Sequence, residues 1–473
     1  MKPIAKQLLL PLVFLFVTGV QAFGQNAPTP QLNCQINRVS PTNHSLRIAC
    51  DISALPFGKT AIQFVDEFAG IDRLSERLQS IKVTGAQGTV LPLEIRGNGL
   101  YFLNSDSPLR SISISYEMNL ARAMDPSQYA LVSNIGAEAA VILPANLLPN
   151  ICSDIEYCAN TKPTSLRLKI ESPSGWKIAT TEPQQDERFN IADASRAVFF
   201  LGKLRERTTK VGEMNLRVAI SGEWEFRDEE VFSLAEAIAR EQAVLVGSNE
   251  QGESLVTLGP FPQPLTGLRS SGVTVGKTVV LLLNPNSNFD QTFKHFRRHL
   301  AHEMFHFYLP NAFQIRENFD WFWEGFTRYV ALLTLTRLHL IDLREYLDAI
   351  NAEYEAYLFN PARTQISLIA ASPEKFTTAA SYDLIYRKGM FVAALYDFEL
   401  RWQSRAKLNL ANVMKALYEN YAASNKAVGN QEVIKELNLL GNFARQIRDD
   451  IEGTREIDLA ERVKAYGLKI ELG

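Results

Sequence analysis

The chain has 473 residues, 46% hydrophobic and 21% charged, a balance that excludes bulk disorder. Its 49 basic and 52 acidic side chains leave a formal charge of -3, which excludes a strongly basic nucleic-acid binder and a polybasic membrane-surface protein. The mean hydropathy of -0.09 excludes a polytopic membrane protein, and at roughly 150 residues per domain the length allows about three domains.

The chain begins with Lys2 and Lys6, an apolar run from Leu8 to Val17, and small residues around Val20-Gln21-Ala22. Charge, short apolar run and small-x-small spacing form the pattern of a secretory signal peptide over residues 1–22. The apolar run falls short of the ~20 residues that cross a bilayer. The mature chain is therefore expected to start near Phe23, to be periplasmic or extracellular, and to have no stable membrane span. The four cysteines, Cys34, Cys50, Cys152 and Cys158, form an even set in an exported chain, which suggests two disulfides. Three pairings are possible, and short loops favour Cys34 with Cys50 and Cys152 with Cys158.

Residues 23–225 read as an N-terminal β-sandwich. Period-two alternation recurs in Gln35–Val39, Ser45–Ile48, Ser111–Tyr116, Leu166–Ile170 and Leu216–Ile220, with turns at Gly97-Asn98-Gly99 and Ser172-Pro173-Ser174-Gly175. The expected junction is Ser221-Gly222-Glu223. Beyond it the period changes: Val231–Ala243 predicts a helix and Thr278–Leu283 a short buried strand. Helices are predicted over about 290–308, 320–338, 341–357, 381–402, 407–421, 430–438 and 440–450.

His302-Glu303-Met304-Phe305-His306 puts two imidazoles four positions apart on one helix face, about 6 Å along the axis. Such a pair can grip one zinc ion, with Glu303 in reach of the water the ion carries. Histidine is scarce, 6 in the whole chain, so chance is a poor account of the pattern. The competing account is a pair of solvated or core-facing histidines. A second signal is Asp320-Trp321-Phe322-Trp323-Glu324-Gly325-Phe326-Thr327-Arg328-Tyr329, where Glu324 can complete a His2Glu site with an open fourth position. Glu317 is a weaker candidate for that ligand. Leu309 and Ala312 stand where a third-histidine pattern would need Gly and His, so that pattern is absent.

His302-Glu303-x-x-His306 followed by Trp323-Glu324-Gly325-Phe326-Thr327-x-Tyr329 resembles the gluzincin metallopeptidases, and among them the glycyl aminopeptidase family, a relative of aminopeptidase N. The resemblance extends to Tyr386-Arg387-Lys388-Gly389, to the tail Ala465–Ile470, and to the start, Val39–Leu46. It implies one zinc ion on His302, His306 and Glu324. Glu303 would serve as general base and acid, and Tyr386 would donate a hydrogen bond to the oxyanion. Tyr382 is read as packing or pocket lining, and Lys388 and Gly389 as structural. The chain departs from the clan's pattern in three places. The strand expected to hold an amine-binding glutamate, Thr266–Gly272, has Arg269 and no acid. No C-terminal PDZ domain is expected before Gly473. Phe307–Asn311 differs from the usual continuation, and Pro310 is expected to end the zinc helix.

His295 and His299 share a face with His302 and His306. His295 is more than ~16 Å along the axis from His306, too far to share an ion. His299 is a candidate to support the metal site from behind it, against a solvated or packed imidazole. The expected fold is α+β multidomain: the β-sandwich, a thermolysin-like zinc catalytic domain over 226–340 and a helical C-terminal domain over 341–473. The expected function is an exported zinc metallopeptidase acting on a peptide or protein, with no nucleic-acid partner. An endopeptidase and a non-catalytic zinc-bound scaffold are the alternatives.

Overall fold

The computed structural model describes residues 30–55, 60–103, 109–152, 166–248, 251–285 and 289–469. The expected signal peptide and Cys158 lie outside them.

Alternating apolar residues build the N-terminal unit. The stretches read as strands fall within strands Gln31–Ser40, Ser45–Ser53, Ser111–Asn119, Leu166–Ile170 and Met214–Ile220. The first four belong to one seven-stranded sheet. Its inner residues, Ile48, Ile114 and Leu168 among them, share a core with Ile62, Leu103, Ile142 and Phe199 from two four-stranded sheets. Two sheet layers closing on one apolar core make the expected sandwich. Cys34 and Cys50 sit opposite each other on neighbouring antiparallel strands and form the expected disulfide.

The fifth stretch behaves differently. Met214–Ile220 pairs parallel with Gly252–Pro260, which pairs parallel with Thr278–Leu283. With Arg205–Val211 and Ser270–Val275 these make a five-stranded sheet, in which Ser270–Val275 is an edge strand antiparallel to Thr278–Leu283. The sheet beside the zinc helix thus starts upstream of Ser221. Its two faces are read by period two: Val279, Leu281 and Leu283 join the helical core, whereas Val280 and Leu282 pack with Tyr129, Val141 and Phe200 of the N-terminal unit.

Five helices position the site: α1 Asp228–Val246, α2 Phe289–Phe305, α3 Asp320–Arg337, α4 Leu343–Leu358 and α5 Ala379–Gln403. α2 buries Phe296, Leu300, Ala301, Met304 and Phe305, the stripe its sequence spacing predicts. α3 is apolar nearly all round, and it is buried accordingly from Trp321 to Leu335. Thr378 caps α5 by accepting from the Ser381 N–H at 3.0 Å. Near the C-terminus, two expected helices are shorter and wider than predicted. Leu410–Leu417 runs into a π-helical turn at Tyr418–Ala422, and Ala444–Gln446 into another at Ile447–Glu452. One core cluster extends from Val211 to Val463, so the sheet front and all the later helices share it. No helix among the described residues is long and apolar enough to cross a membrane.

α3 and α5 touch backbone to backbone. A Cβ on Gly325 would lie 2.5 Å from Gly389 Cα, and one on Gly389 would lie 2.5 Å from the Trp321 carbonyl oxygen. These glycines follow Glu324 and Tyr386 at short intervals, so the same contact sets how near those two side chains come. We predict that Gly325→Ala and Gly389→Ala each destabilise the protein by about 1–3 kcal/mol or more through overpacking. Each should also lower metal retention, as read by denaturant titration and by metal content after gel filtration.

Candidate metal centre and its cleft

His302 lies in the last turn of α2, and His306 follows it just beyond the helix end. The expected helix to 308 stops at Phe305. There the chain tightens into turns, with the His306 N–H bonded to the Glu303 carbonyl at 3.1 Å and the Tyr308 N–H to the Phe305 carbonyl at 3.0 Å. This turn lets His306 Nδ1 reach the Leu309 carbonyl at 2.7 Å, which fixes the ring with Nε2 facing inward.

Glu324 enters from the first turns of α3. Its Oε2 is 3.3 Å from His302 Nε2 and 3.4 Å from His306 Nε2, and the two imidazole nitrogens are 3.2 Å apart. Oε2 is buried and has no hydrogen-bond partner. For metal–ligand bonds of 2.0–2.1 Å, the edge of a tetrahedron is about 3.3–3.4 Å. The three donors therefore stand at the spacing a tetrahedral zinc demands, and the donor set, two imidazoles and one carboxylate, is that of a catalytic zinc. Among the described residues this is the one group found that could hold a metal ion.

The other Glu324 oxygen has its own partner. Lys375 Nζ donates to Oε1 at 2.5 Å and to Asp320 Oδ1 at 3.0 Å, and all three side chains are buried. Burial works against these charges. Lys375 and the imidazoles nevertheless hold Glu324 well below the usual carboxylate range, and the two acids hold Lys375 above the usual lysine value. Asp320, where burial dominates, is raised. Burial lowers His302, whereas His306, despite burial, is lifted to about 8 by Glu324.

Glu303 is held down to about 2: burial would raise it, but a hydrogen bond from His299 and the neighbouring imidazoles outweigh that. Burial pushes the Tyr386 phenol well up, so it keeps its proton at neutral pH. The Tyr386 ring lies 6.2 Å from the His302 ring and 4.6 Å from that of Tyr382.

Glu303, His306, Asp320, Glu324, Lys375 and Tyr386 line a cleft of about 840 Å³, which Gly272–Val275 of the edge strand borders on one side and Phe68–Gly70 and Gln128 of the N-terminal unit on another. Larger grooves of about 1100 and 900 Å³ lie on the sandwich and at its junction with the sheet, but neither is lined by the imidazole–carboxylate group.

Of the residues singled out from sequence, His302, Glu303, His306, Glu324 and Tyr386 are brought together, and Tyr382 lines the cleft with them. Glu317 is not part of the group; its Oε1 accepts from the Asn430 N–H at 2.8 Å, at the start of helix Asn430–Leu439. Lys388 is fully buried away from the cleft, facing Asp450, and burial lowers its ammonium to about 8. The strand beside the site is Ser270–Val275 rather than Thr266–Gly272, and Arg269 is exposed outside the cleft. Lys375, Asp320 and Thr274 were not identified from sequence as site residues. Asp320 carried a signal, standing four positions before Glu324 on one helix face. Lys375 and Thr274 carried none.

Residues 295–392 match the family model described as M61 glycyl aminopeptidase, a span that contains all five of those residues. No curated protein sequence matches the chain. An aminopeptidase N family protein from Idiomarina loihiensis superposes with a TM-score of 0.78 at 15% identity, over 93% of this chain and 79% of that one. An M1 zinc metallopeptidase from Deinococcus radiodurans gives a TM-score of 0.55 at 15% identity, over 92% and 95%. A mutant of the Deinococcus radiodurans enzyme bound to a Tyr-Ser-Ala substrate gives 0.51 at 12% identity, over 88% and 93%. The shared architecture is that of aminopeptidase-like gluzincins. The segment match and the His302–His306–Glu324 group, on an architecture similar to theirs, support a zinc metallopeptidase.

Removing the Lys375 charge would leave two buried carboxylates facing each other. We predict that Lys375→Met lowers the stability of the metal-free protein by about 3–5 kcal/mol and weakens zinc binding by about 10–100-fold. Chemical denaturation and competition titration with a chromophoric chelator would measure both.

Proposed function

We propose that this protein hydrolyses peptide bonds with Glu303 as general base and acid and Tyr386 as oxyanion donor. The observation that carries the reading is the tetrahedral spacing of three donors next to an ionised Glu303 and a protonated Tyr386. A zinc ion on His302, His306 and Glu324 would lower the pKa of its water to about 7 and polarise the substrate carbonyl. Glu303 takes the proton of the attacking water and hands it to the leaving amine. Tyr386 aims its O–H at the oxygen of the scissile carbonyl as charge develops there. The expected outcome is that Glu303→Gln keeps stoichiometric zinc and loses hydrolysis by about 10²–10⁴-fold, whereas Tyr386→Phe loses about 10²–10³-fold. Unchanged turnover in the Glu303 variant, on a peptide library, would refute the mechanism.

One observation favours internal bonds over free N-termini. Every carboxylate lining the cleft already has a partner in the protein: Glu324 and Asp320 on Lys375, Glu303 between His299 and Thr274, and Asp383 on Arg387 at 3.2 Å. The stretch Gly272–Gly276, at the end of the edge strand and the turn after it, contributes no acid. Among the described residues lining the cleft, no carboxylate stands without a protein partner to receive a substrate ammonium. N-acetylated peptides should therefore be cleaved at rates equal to their free counterparts; strict dependence on a free amine would overturn this reading.

The leader pattern over residues 1–22 and the Cys34–Cys50 disulfide support an exported protein in an oxidising compartment. N-terminal sequencing of protein from the cell envelope or medium should start near Phe23, and recovery of uncleaved chain from the cytosol would count against export.

A further inference from the structure

We propose that His299 is a positioning residue for Glu303, the last link of a one-way hydrogen-bond chain running from His295 through Ser270 to the carboxylate. The proposal deepens the peptidase reading and rests on it for the role of Glu303.

Two periodicities meet here. α2 repeats its face every four residues, about 6 Å, at His295, His299 and Glu303. The edge strand repeats its face every two residues, about 6.8 Å, at Ser270, Gly272 and Thr274. The steps are close enough in length for the two rows to interlock. Ser270 Oγ stands 2.6 Å from His295 Nε2 and 3.0 Å from His299 Nδ1. His299 Nε2 stands 3.4 Å from Glu303 Oε1. Thr274 Oγ1 stands 2.9 Å from Glu303 Oε2 and 2.7 Å from the Glu303 carbonyl oxygen.

The donors can be assigned by counting protons. A carboxylate only accepts, so His299 must carry its proton on Nε2 to bond Glu303. In the tautomer we assign, with Nε2 carrying the ring's one proton, Nδ1 is an acceptor and takes the Ser270 proton. The Ser270 oxygen, its proton spent, accepts from His295 Nε2–H. One proton per link then satisfies all three groups. Glu303 is then faced on one oxygen by an imidazole and on the other by the Thr274 hydroxyl, whose single proton is shared with the Glu303 carbonyl oxygen, so its orientation toward the metal trio is set from behind.

Gly272 makes an independent case. A Cβ there would lie 2.4 Å from His299 Nε2 and 2.9 Å from Leu281 Cδ2. The strand leaves out a side chain at the place where His299 must pass to reach Glu303. A merely solvated imidazole would not need that gap.

The test uses the zinc-loaded protein. His299→Ala should lower kcat by about 10–100-fold, with KM and zinc content within about twofold of the parent. His299→Gln, which retains an N–H donor, should recover most of the loss. Gly272→Ala should reproduce the His299→Ala defect without removing any polar group. In 15N-histidine spectra of the unmutated protein, His299 should be the Nε2–H tautomer, and Glu303→Gln should shift that resonance. An unchanged kcat in His299→Ala, a loss confined to KM or zinc content, a glutamine variant no better than alanine, or an Nδ1–H tautomer would each overturn the proposal. Should the parent protein cleave no peptide at all, the peptidase reading falls; the tautomer and its response to Glu303→Gln still decide the hydrogen-bond chain.

Discussion

The distance between two helices governs this site. α3 supplies Glu324 and Asp320, α5 supplies Tyr386, and the loop before α5 supplies Lys375. Because Gly325 meets Gly389 with no side chain between, the helices close far enough for Glu324 to reach the imidazoles of His302 and His306 while Tyr386 stands over His302. Close approach also forces two carboxylates and an ammonium into a buried space. Desolvating such charges costs several kcal/mol each unless they are paired. The Lys375 pairings, together with the imidazoles that face the free Glu324 oxygen, offset that cost. Packing and electrostatics are thus one problem here, solved by the same pair of helices.

The parts of the site legible in the sequence were those that local geometry encodes. His302 and His306 are four residues apart, and the last turn of a helix with the turn that follows it brings them together. Glu324 stood out in an aromatic helical stretch, but Tyr386, one of 15 tyrosines, was legible only through family resemblance. Lys375 is 51 residues from Glu324 in sequence, and Thr274 is 29 from Glu303, and nothing local marks either contact. The edge strand was placed a few residues early because Gly267 and Gly272 give no alternation to fix its register. Gly252–Pro260 escaped notice because both its faces are covered, which erases the period-two signal. In the N-terminal unit most inward faces oppose wet ones, and the alternation there read true.

His295 and His299 on α2 had a plain account as solvated or packed imidazoles. Their pairing with a strand of matching step gives them a use that helix periodicity alone could not suggest. Two ring nitrogens close the metal trio, while the other two histidines face the strand, and Glu303 stands between the two sets. One helix face thus serves an ion at its C-terminal end and a carboxylate's back side along its middle.

The five-stranded sheet draws its first two strands, Arg205–Val211 and Met214–Ile220, from chain that follows directly on the sandwich. A cut or splice at the apparent junction near Ser221 would carry those strands off and leave Gly252–Pro260 with a bare row of amides, an edge that invites self-association. A boundary that keeps this sheet whole therefore lies ahead of Arg205, where the sandwich's own last strand has already ended.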